Sequence, residues 1–254
     1  MSPYRVEDRD AIRTFLERDP VGNAVTWDRT FQQENYEVYA EGEPMEGVLA
    51  IQRARRADRP NTIALHVANP EAAGALTALL PTGFTLMHLT EEFPLAVLEA
   101  KATEFHPLPA WLFELEARDF VDHPNPQVRP LDPRFAGLVA RLWEPDWPAE
   151  GYVRRRIENG PTAAIYENGD PIAWGLTHMV TNRVGIIGMV HVQEGFRRKG
   201  LARSVVAAVS RQLFKEGKIP ALHAYVDNAA SLSLFPTLGF RRVKRQVWGD
   251  AVFR

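Results

Sequence analysis

The chain has 254 residues, 45% of them hydrophobic and 24% charged, the balance of a folded protein with room for two domains. Thirty Lys and Arg against thirty-two Asp and Glu leave a formal charge of −2, which offers no global attraction to nucleic acid or to an anionic membrane. Cysteine is absent, which excludes disulfides, thiolate metal sites and a Cys nucleophile; with the charged start MSPYRVEDRD and no long apolar run, a cytoplasmic protein is expected.

In chain order, a helix is expected near Asp8–Glu17, then a hairpin over Val38–Met45, V-Y-A-E-G-E-P-M, with Gly and an acid in its turn. A strand over Thr62–Val67, a helix over Pro70–Leu80, a strand over Phe84–Leu89 and a helical Glu91–Glu99 follow. Val121–Phe135 carries four prolines; each fixes its own φ and disfavours helix for its predecessor, so the segment reads as an extended connection. A helix over Pro133–Leu142 opens the second half. Ile165–Ile172, I-Y-E-N-G-D-P-I, then repeats the Tyr, Gly, acid and Pro of the first hairpin at an offset of 127 residues, half the chain. A strand over Arg183–Val192, a helix over Arg198–Gly217, a strand over Ala221–Val226 and a helix from Asn228 repeat the earlier order. In the long helix Ala202, Val205, Val206, Val209 and Leu213 return on one face. Convergent turn chemistry is one account of the paired hairpins; duplication of one unit is the other, and the shared element order favours it. The expected class is α/β, with helices packed on a mixed sheet and the chain divided as residues 1–121, a linker 122–135, and 136–254.

Chemistry concentrates in Met189–Ser204, MVHVQEGFRRKGLARS. A strand ending in Val190, His191 and Val192 runs through Arg197, Arg198, Lys199 and Gly200 into a helix opening with Leu201, Ala202 and Arg203. Free N–H groups and the positive dipole end at such a helix start suit a phosphate or diphosphate. Gly200 and Ala202 allow close approach, and the cations add charge-assisted bonds. The spacing matches neither a Walker A loop nor a dinucleotide fingerprint.

Arg-x-x-Gly-x-Ala after a V-x-V strand resembles motif A of the GNAT superfamily of N-acyltransferases. Asp227–Phe240, with Asn228 as a helix N-cap and Leu238-Gly239-Phe240 closing it, resembles that family's final strand–helix–strand. The likeness covers about Val128–Arg254, a half similar to the glycine-acyltransferase-like branch, and extends weakly to the first half. It implies two tandem GNAT-like domains, each a mixed, mainly antiparallel sheet flanked by helices, the N-terminal one degenerate: Val67–Gly74, at the matching place, has no Lys or Arg. It further implies that acetyl-CoA or another acyl-CoA is the co-substrate, with no metal. Its diphosphate would lie on Arg197, Arg198, Lys199, Gly200, Leu201, Ala202 and Arg203. Val190, His191 and Val192 would hold the pantetheine, with Asn228, Ser231 and Phe235 near the CoA arm.

The implied reaction is direct transfer of the acyl group to a primary amine, which needs a base for the ammonium proton and a donor for the developing oxyanion. The family's frequent proton-donating Tyr is replaced by Phe235, followed by Pro236, and the acidic residue some members carry in strand 4 is Ile186 here. His223, where the glycine-acyltransferase-like branch carries His, is the leading base candidate, with a structural strand histidine as the plainer alternative. His191 is the second candidate; His178 and Glu194 follow. Tyr225, on the face of His223 by the period of two, Ser231, Ser233 or water would protonate the thiolate. Trp143, Trp147 and Trp174 would line an acceptor pocket or fill the core. The expected partner is a small-molecule amine or amino acid, in a monomer or homodimer without nucleic-acid or membrane partners. An acyl-CoA sensor without transferase activity is the alternative.

Overall fold

In the computed structural model, which describes residues 2–7, 9–56, 59–145 and 147–254, strands and helices are interspersed along the described residues. The order begins β1 Tyr4–Arg5, α1 Asp10–Leu16, α2 Ala24–Phe31, β2 Glu37–Glu41, β3 Gly47–Gln52 and β4 Asn61–Val67. It continues with α3 Pro70–Leu76, β5 Gly83–Leu89, α4 Leu95–Glu99, β6 Ala102–Glu114, α5 Ala136–Trp143 and α6 Glu150–Asn159. It ends with β7 Thr162–Glu167, β8 Asp170–Val180, β9 Val184–Val192, α7 Leu201–Lys215, β10 Ile219–Tyr225, α8 Ala229–Leu234 and β11 Arg241–Phe253. Two compact units result: residues 1–112 together with 243–254, and residues 113–242.

The first unit orders its strands β1-β2-β3-β4-β5-β11-β6. β4 and β5 are parallel, whereas β1–β2, β2–β3, β3–β4 and β5–β11 are antiparallel, so the sheet is mixed and mainly antiparallel. Leu49, Ile51, Ile63 and Leu65 recur every second residue and bury one apolar face with Leu76 of α3, Leu98 of α4, Met87, Leu89, Val247 and Phe253. At the end of the β4–β5 ladder a side-chain clamp forms. The Thr90 N–H donates to Leu65 O at 3.0 Å, and Thr90 Oγ1 lies 2.7 Å from His66 Nδ1. The start of α3 is also closed. Asn69 Oδ1 accepts the Ala72 N–H at 2.8 Å, Pro70 has no N–H to give, and Glu71 adds an acid to the first turn.

In the second unit β7, β8 and β9 form an antiparallel run, and β10 joins β9 in parallel. α7 covers one sheet face with Val205, Val206, Val209 and Leu213, all buried as their spacing predicts; Ala202, at the helix entrance, is half-buried. On the other face Val139 and Ala140 of α5 and Val153 and Ile157 of α6 pack with Trp174, Leu176 and Met189. Both expected hairpins, β2–β3 and β7–β8, form.

Element boundaries differ from the sequence expectation for local reasons. α7 begins at Leu201 instead of Arg198, because Arg198 (φ 66°) and Gly200 (φ 76°) are left-handed. The helical Glu91–Glu99 is confined to α4, which starts after Pro94. Pro133–Leu142 opens as a 3-10 turn capped by Asp132 before α5. The Asp8–Glu17 helix is α1; Asp8 itself lies outside the described residues. α2 and α6 were not expected. α2 is short and buries Thr26, Asp28 and Thr30 along with its apolar residues, and α6 buries only Val153 and Ile157 among charged residues.

Burial, aided by the Lys244 ammonium, lowers the His66 pKa to about 4. Since the unfolded value lies near 6.5, the unfolded chain binds more protons between these pH values, and the stability from keeping His66 neutral is lost as pH falls through that window. Urea unfolding of the wild type should show about 3 kcal/mol more destabilisation from pH 7 to 4 than His66→Gln, which has no such titration.

Candidate functional site

The parallel ladder of β9 and β10 runs from Val184↔Ile219 to Ile187↔Leu222 and ends there. Beyond it residues 188–192 and 223–225 do not pair with each other, and a crevice past the carboxyl ends of parallel strands is where α/β sheets accept ligands. A bulge adds to the opening. Trp174 pairs with His191 and Leu176 with Gly188, so Met189 and Val190 together oppose Gly175. Met189 takes a left-handed φ of 51°. An extra residue interrupts the ladder and frees main-chain hydrogen-bonding groups of β9 at the fork.

The bulge also sets which side chain faces which layer. Val190 Cγ2 and Val205 Cγ2 of α7 lie 3.5 and 3.7 Å from the place a Cβ on Gly175 would take. Met189 packs in the α5/α6 core, and His191 stacks on Trp174 of that core at 4.7 Å between ring centres. Burial, with the Arg197 guanidinium, pushes the His191 pKa below its ordinary value.

From Val192 the chain passes through the 3-10 turn Glu194–Phe196 into Arg197, whose Nε donates to Val192 O at 3.2 Å. Lys199 Nζ stands 5.2 Å from the Phe196 ring centre. Gly200 is the N-cap of α7 and supplies no capping side chain. The first intrahelical bond is Ser204 N–H to Gly200 O at 3.2 Å, so the N–H groups of Leu201, Ala202 and Arg203 precede it and are open to a ligand. Arg197, Arg198, Lys199 and Arg203 are exposed around this helix start. Uncapped amides, a left-handed glycine and four cations fit a diphosphate.

The α5/α6 side of the fork carries rings and imidazoles. Trp143 stacks on Tyr152 at 5.7 Å, Trp147 lies 6.4 Å from the same ring, and the Tyr152 hydroxyl is 2.9 Å from His178 Nδ1. His178 touches the place where a Cβ on Gly188 would stand, 3.2 Å away, which ties this cluster to the start of the fork. On β10 the Glu144 carboxylate at the end of α5 is near enough to help burial raise the Tyr225 phenol pKa. Half-buried His223 shares the face of Tyr225 by strand alternation.

The structure thus brings Val190, His191 and Val192 together with the loop from Arg197 to Arg203, and sets His223 and Tyr225 on the neighbouring strand. Asn228 caps α8 through its Oδ1, which accepts the Ser231 N–H at 3.0 Å. Ser231 is half-buried, Ser233 is exposed and donates to Ala230 O, and Phe235 is buried against Phe113 and Phe240. Ile186 is buried opposite Ala221 in the closed part of the ladder, and Glu194 is exposed. Trp174 is a core residue, whereas Trp147 is 37% exposed. Tyr152 and the left-handed Met189 escaped the sequence reading: nothing marks Met as a bulge residue, and Tyr152 lies in the unrecognised α6. Among the described residues no group of three or more His, Asp or Glu is placed to hold a metal ion, and no helix is long and apolar enough to cross a membrane.

Residues 165–249 match the family model described as FR47-like protein. Solved structures resemble nearly the whole chain. A Drosophila protein superposes with TM-score 0.75 at 16% identity, covering 98% of both chains. A GCN5-related N-acetyltransferase from Sphaerobacter thermophilus gives 0.62 at 13% identity, covering 99% of this chain and 96% of its own. A tandem GNAT protein from the clavulanic acid biosynthesis pathway gives 0.57 at 13%, covering 98% and 97%. A sequence search of curated proteins returns no match. At these identities the likeness establishes the fold, and the expected architecture of tandem GNAT-like α/β units stands.

Because burial is the larger cause and Arg197 the smaller, His191 should titrate below 6.5 in an NMR pH series, and Arg197→Ala should move its midpoint only part of the way back. An unshifted wild-type midpoint would contradict the stacked, desolvated position.

Proposed function

We propose that the second unit is an acyl-CoA-dependent N-acyltransferase, of N-acetyl type, acting on a primary amine of a small molecule or amino acid. The single observation that carries this reading is the fork between β9 and β10 leading directly into the uncapped, cation-rich start of α7. A thioester ligand supplies an activated acyl group. The amides of Leu201, Ala202 and Arg203, with the surrounding cations, would hold its diphosphate, and the free edge of β9 would align its pantetheine. The bulge at Met189 and Val190 presents main-chain donors where negative charge develops on the acyl oxygen.

The acceptor side is the α5/α6 face, where Trp143, Trp147 and Tyr152 offer apolar walls. There the amine nitrogen bonds to the acyl carbon, the carbon–sulfur bond breaks, and the ammonium proton must leave. We assign its removal to His223 and protonation of the departing sulfur to Tyr225. Tyr225 is 43% exposed; its phenol is protonated at neutral pH, the state a proton donor requires, and desolvation with the carboxylates of Glu144 and Asp227 raises its pKa further. With no cysteine in the chain, an acyl-cysteine intermediate is excluded, which favours direct transfer.

The first unit is read as the degenerate copy. Its β4–β5 fork is clamped by His66 and Thr90, and its α3 start is filled by the Asn69 side chain beside an acid. An anionic ligand would have to displace the cap and face Glu71. A sensor that binds acyl-CoA without turnover remains the competing reading, motivated by Phe235 at the place of the family's Tyr.

Isothermal calorimetry should detect acetyl-CoA binding to the wild type. Gly200→Glu should abolish it by setting a carboxylate beside the anion, with a thermal melt confirming that the variant is folded. A folded wild type that takes up no acetyl-CoA overturns the reading. Thiol release across an amine panel then separates enzyme from sensor, since turnover with any amine eliminates the sensor. His223→Gln should lower kcat/KM by about 100-fold and remove the acidic limb of its pH profile, while acetyl-CoA affinity stays unchanged.

A further inference from the structure

The proline-rich segment 121–130 does more than connect. It is fixed at one end by the Val121 N–H donating to Leu238 O at 3.0 Å, and at the other by the two-bond bridge between Arg129 and Ala164. Between these ties Asp122 accepts from Arg211 of α7, which neutralises that carboxylate locally. His123 and Asn125 both converge on one hydroxyl, Ser204 Oγ, which is buried in the first turn of α7. The His123 ring stands directly beside Gly200: its Cε1 and Nε2 lie 3.5 and 3.7 Å from the position a Cβ there would occupy.

The Ser204 hydroxyl accepts from Asn125 Nδ2 at 3.5 Å and has His123 Nδ1 at 3.0 Å. The same hydroxyl faces two acceptors, Gly200 O at 3.5 Å and Nδ1 at 3.0 Å; with its proton on the nearer one, Nδ1, the imidazole carries its own hydrogen on Nε2, the edge next to Gly200. An imidazole so anchored is a fixed N–H donor at the helix start where Leu201, Ala202 and Arg203 already offer theirs. Pro124 and Pro126, on either side of Asn125, limit the freedom the segment would lose on binding.

From this geometry we infer that His123 is a further ligand of the CoA diphosphate, donating through Nε2, and that Ser204 is the positioning residue that sets its tautomer and orientation. The inference rests on the acyl-CoA reading above and extends the binding site to a segment outside the motif that suggested it.

The test is calorimetric binding of CoA and of 3′-dephospho-CoA to the full-length protein and its variants, each checked by a thermal melt. His123→Ala should weaken both ligands about tenfold, the loss of one charge-assisted hydrogen bond. Ser204→Ala should weaken them about threefold, and the double variant no more than His123→Ala alone, because Ser204 acts through the ring. Long-range 15N–1H spectra of the free protein should show His123 protonated at Nε2, and Ser204→Ala should mix the tautomers. Unchanged affinity in a folded His123→Ala overturns the inference while the acyl-CoA reading stands. A loss seen with CoA but not with 3′-dephospho-CoA overturns the diphosphate assignment, and additive losses in the double variant overturn the positioning role. A wild type that binds neither ligand removes the acyl-CoA reading itself.

Discussion

The second unit depends on one interruption: two parallel strands share hydrogen bonds up to Ile187 and Leu222 and then part. Main-chain groups left without a ladder partner away from water cost about 1–3 kcal/mol each, so such an opening persists only where water or a ligand can complete it. The surrounding architecture holds it open. α7 pins β8 and β9 from one side through Val205, Val209 and Leu213, and the Trp174 core anchors them from the other. The bulge at Met189 then offsets the alternation, so His191 turns to the Trp174 face while Val190 keeps to α7.

Local backbone strain accompanies this arrangement. Met189 and Arg198 are non-glycine residues in the left-handed region, each costing on the order of 1 kcal/mol, and they flank the strand end and the helix start. Gly200 takes the same region without that penalty. The concentration of unusual dihedrals over about ten residues fits a loop shaped to aim amides, in contrast with α3 of the first unit, whose ordinary Asn cap satisfies its own helix start.

Much of the architecture was legible because it follows periodicity. The apolar stripe of α7, the alternation of β3 and β4, and the hairpin turns with Gly and acid all express rules that act over a few residues. The anion cradle was legible for the same reason: Arg197 to Ala202 is contiguous, and its chemistry is local. What escaped reading depends on tertiary contact. Met189 carries no signal for a bulge, since its φ is imposed by the pairing of Trp174 and Leu176 across the sheet. α2 hides because it is only eight residues long and buries polar Thr26, Asp28 and Thr30 through tertiary contact. His123 reads as part of a linker, and only the folded chain sets it against Gly200, 77 positions away in sequence.

The place of β11 bears on how the molecule is made. Residues 243–254 belong to the first unit, between β5 and β6, so that unit encloses the whole of the second in the sequence. A ribosome releases chains from the N-terminus, and most tandem proteins complete their leading domain before the next emerges. Here that schedule is inverted: the second unit is contiguous and can close as soon as its strands clear the exit tunnel, while the first waits for residues 243–254, which follow it. Val247, Ala251 and Phe253 are buried in the first unit's core, so loss of β11 would damage the half of the protein that was synthesised first.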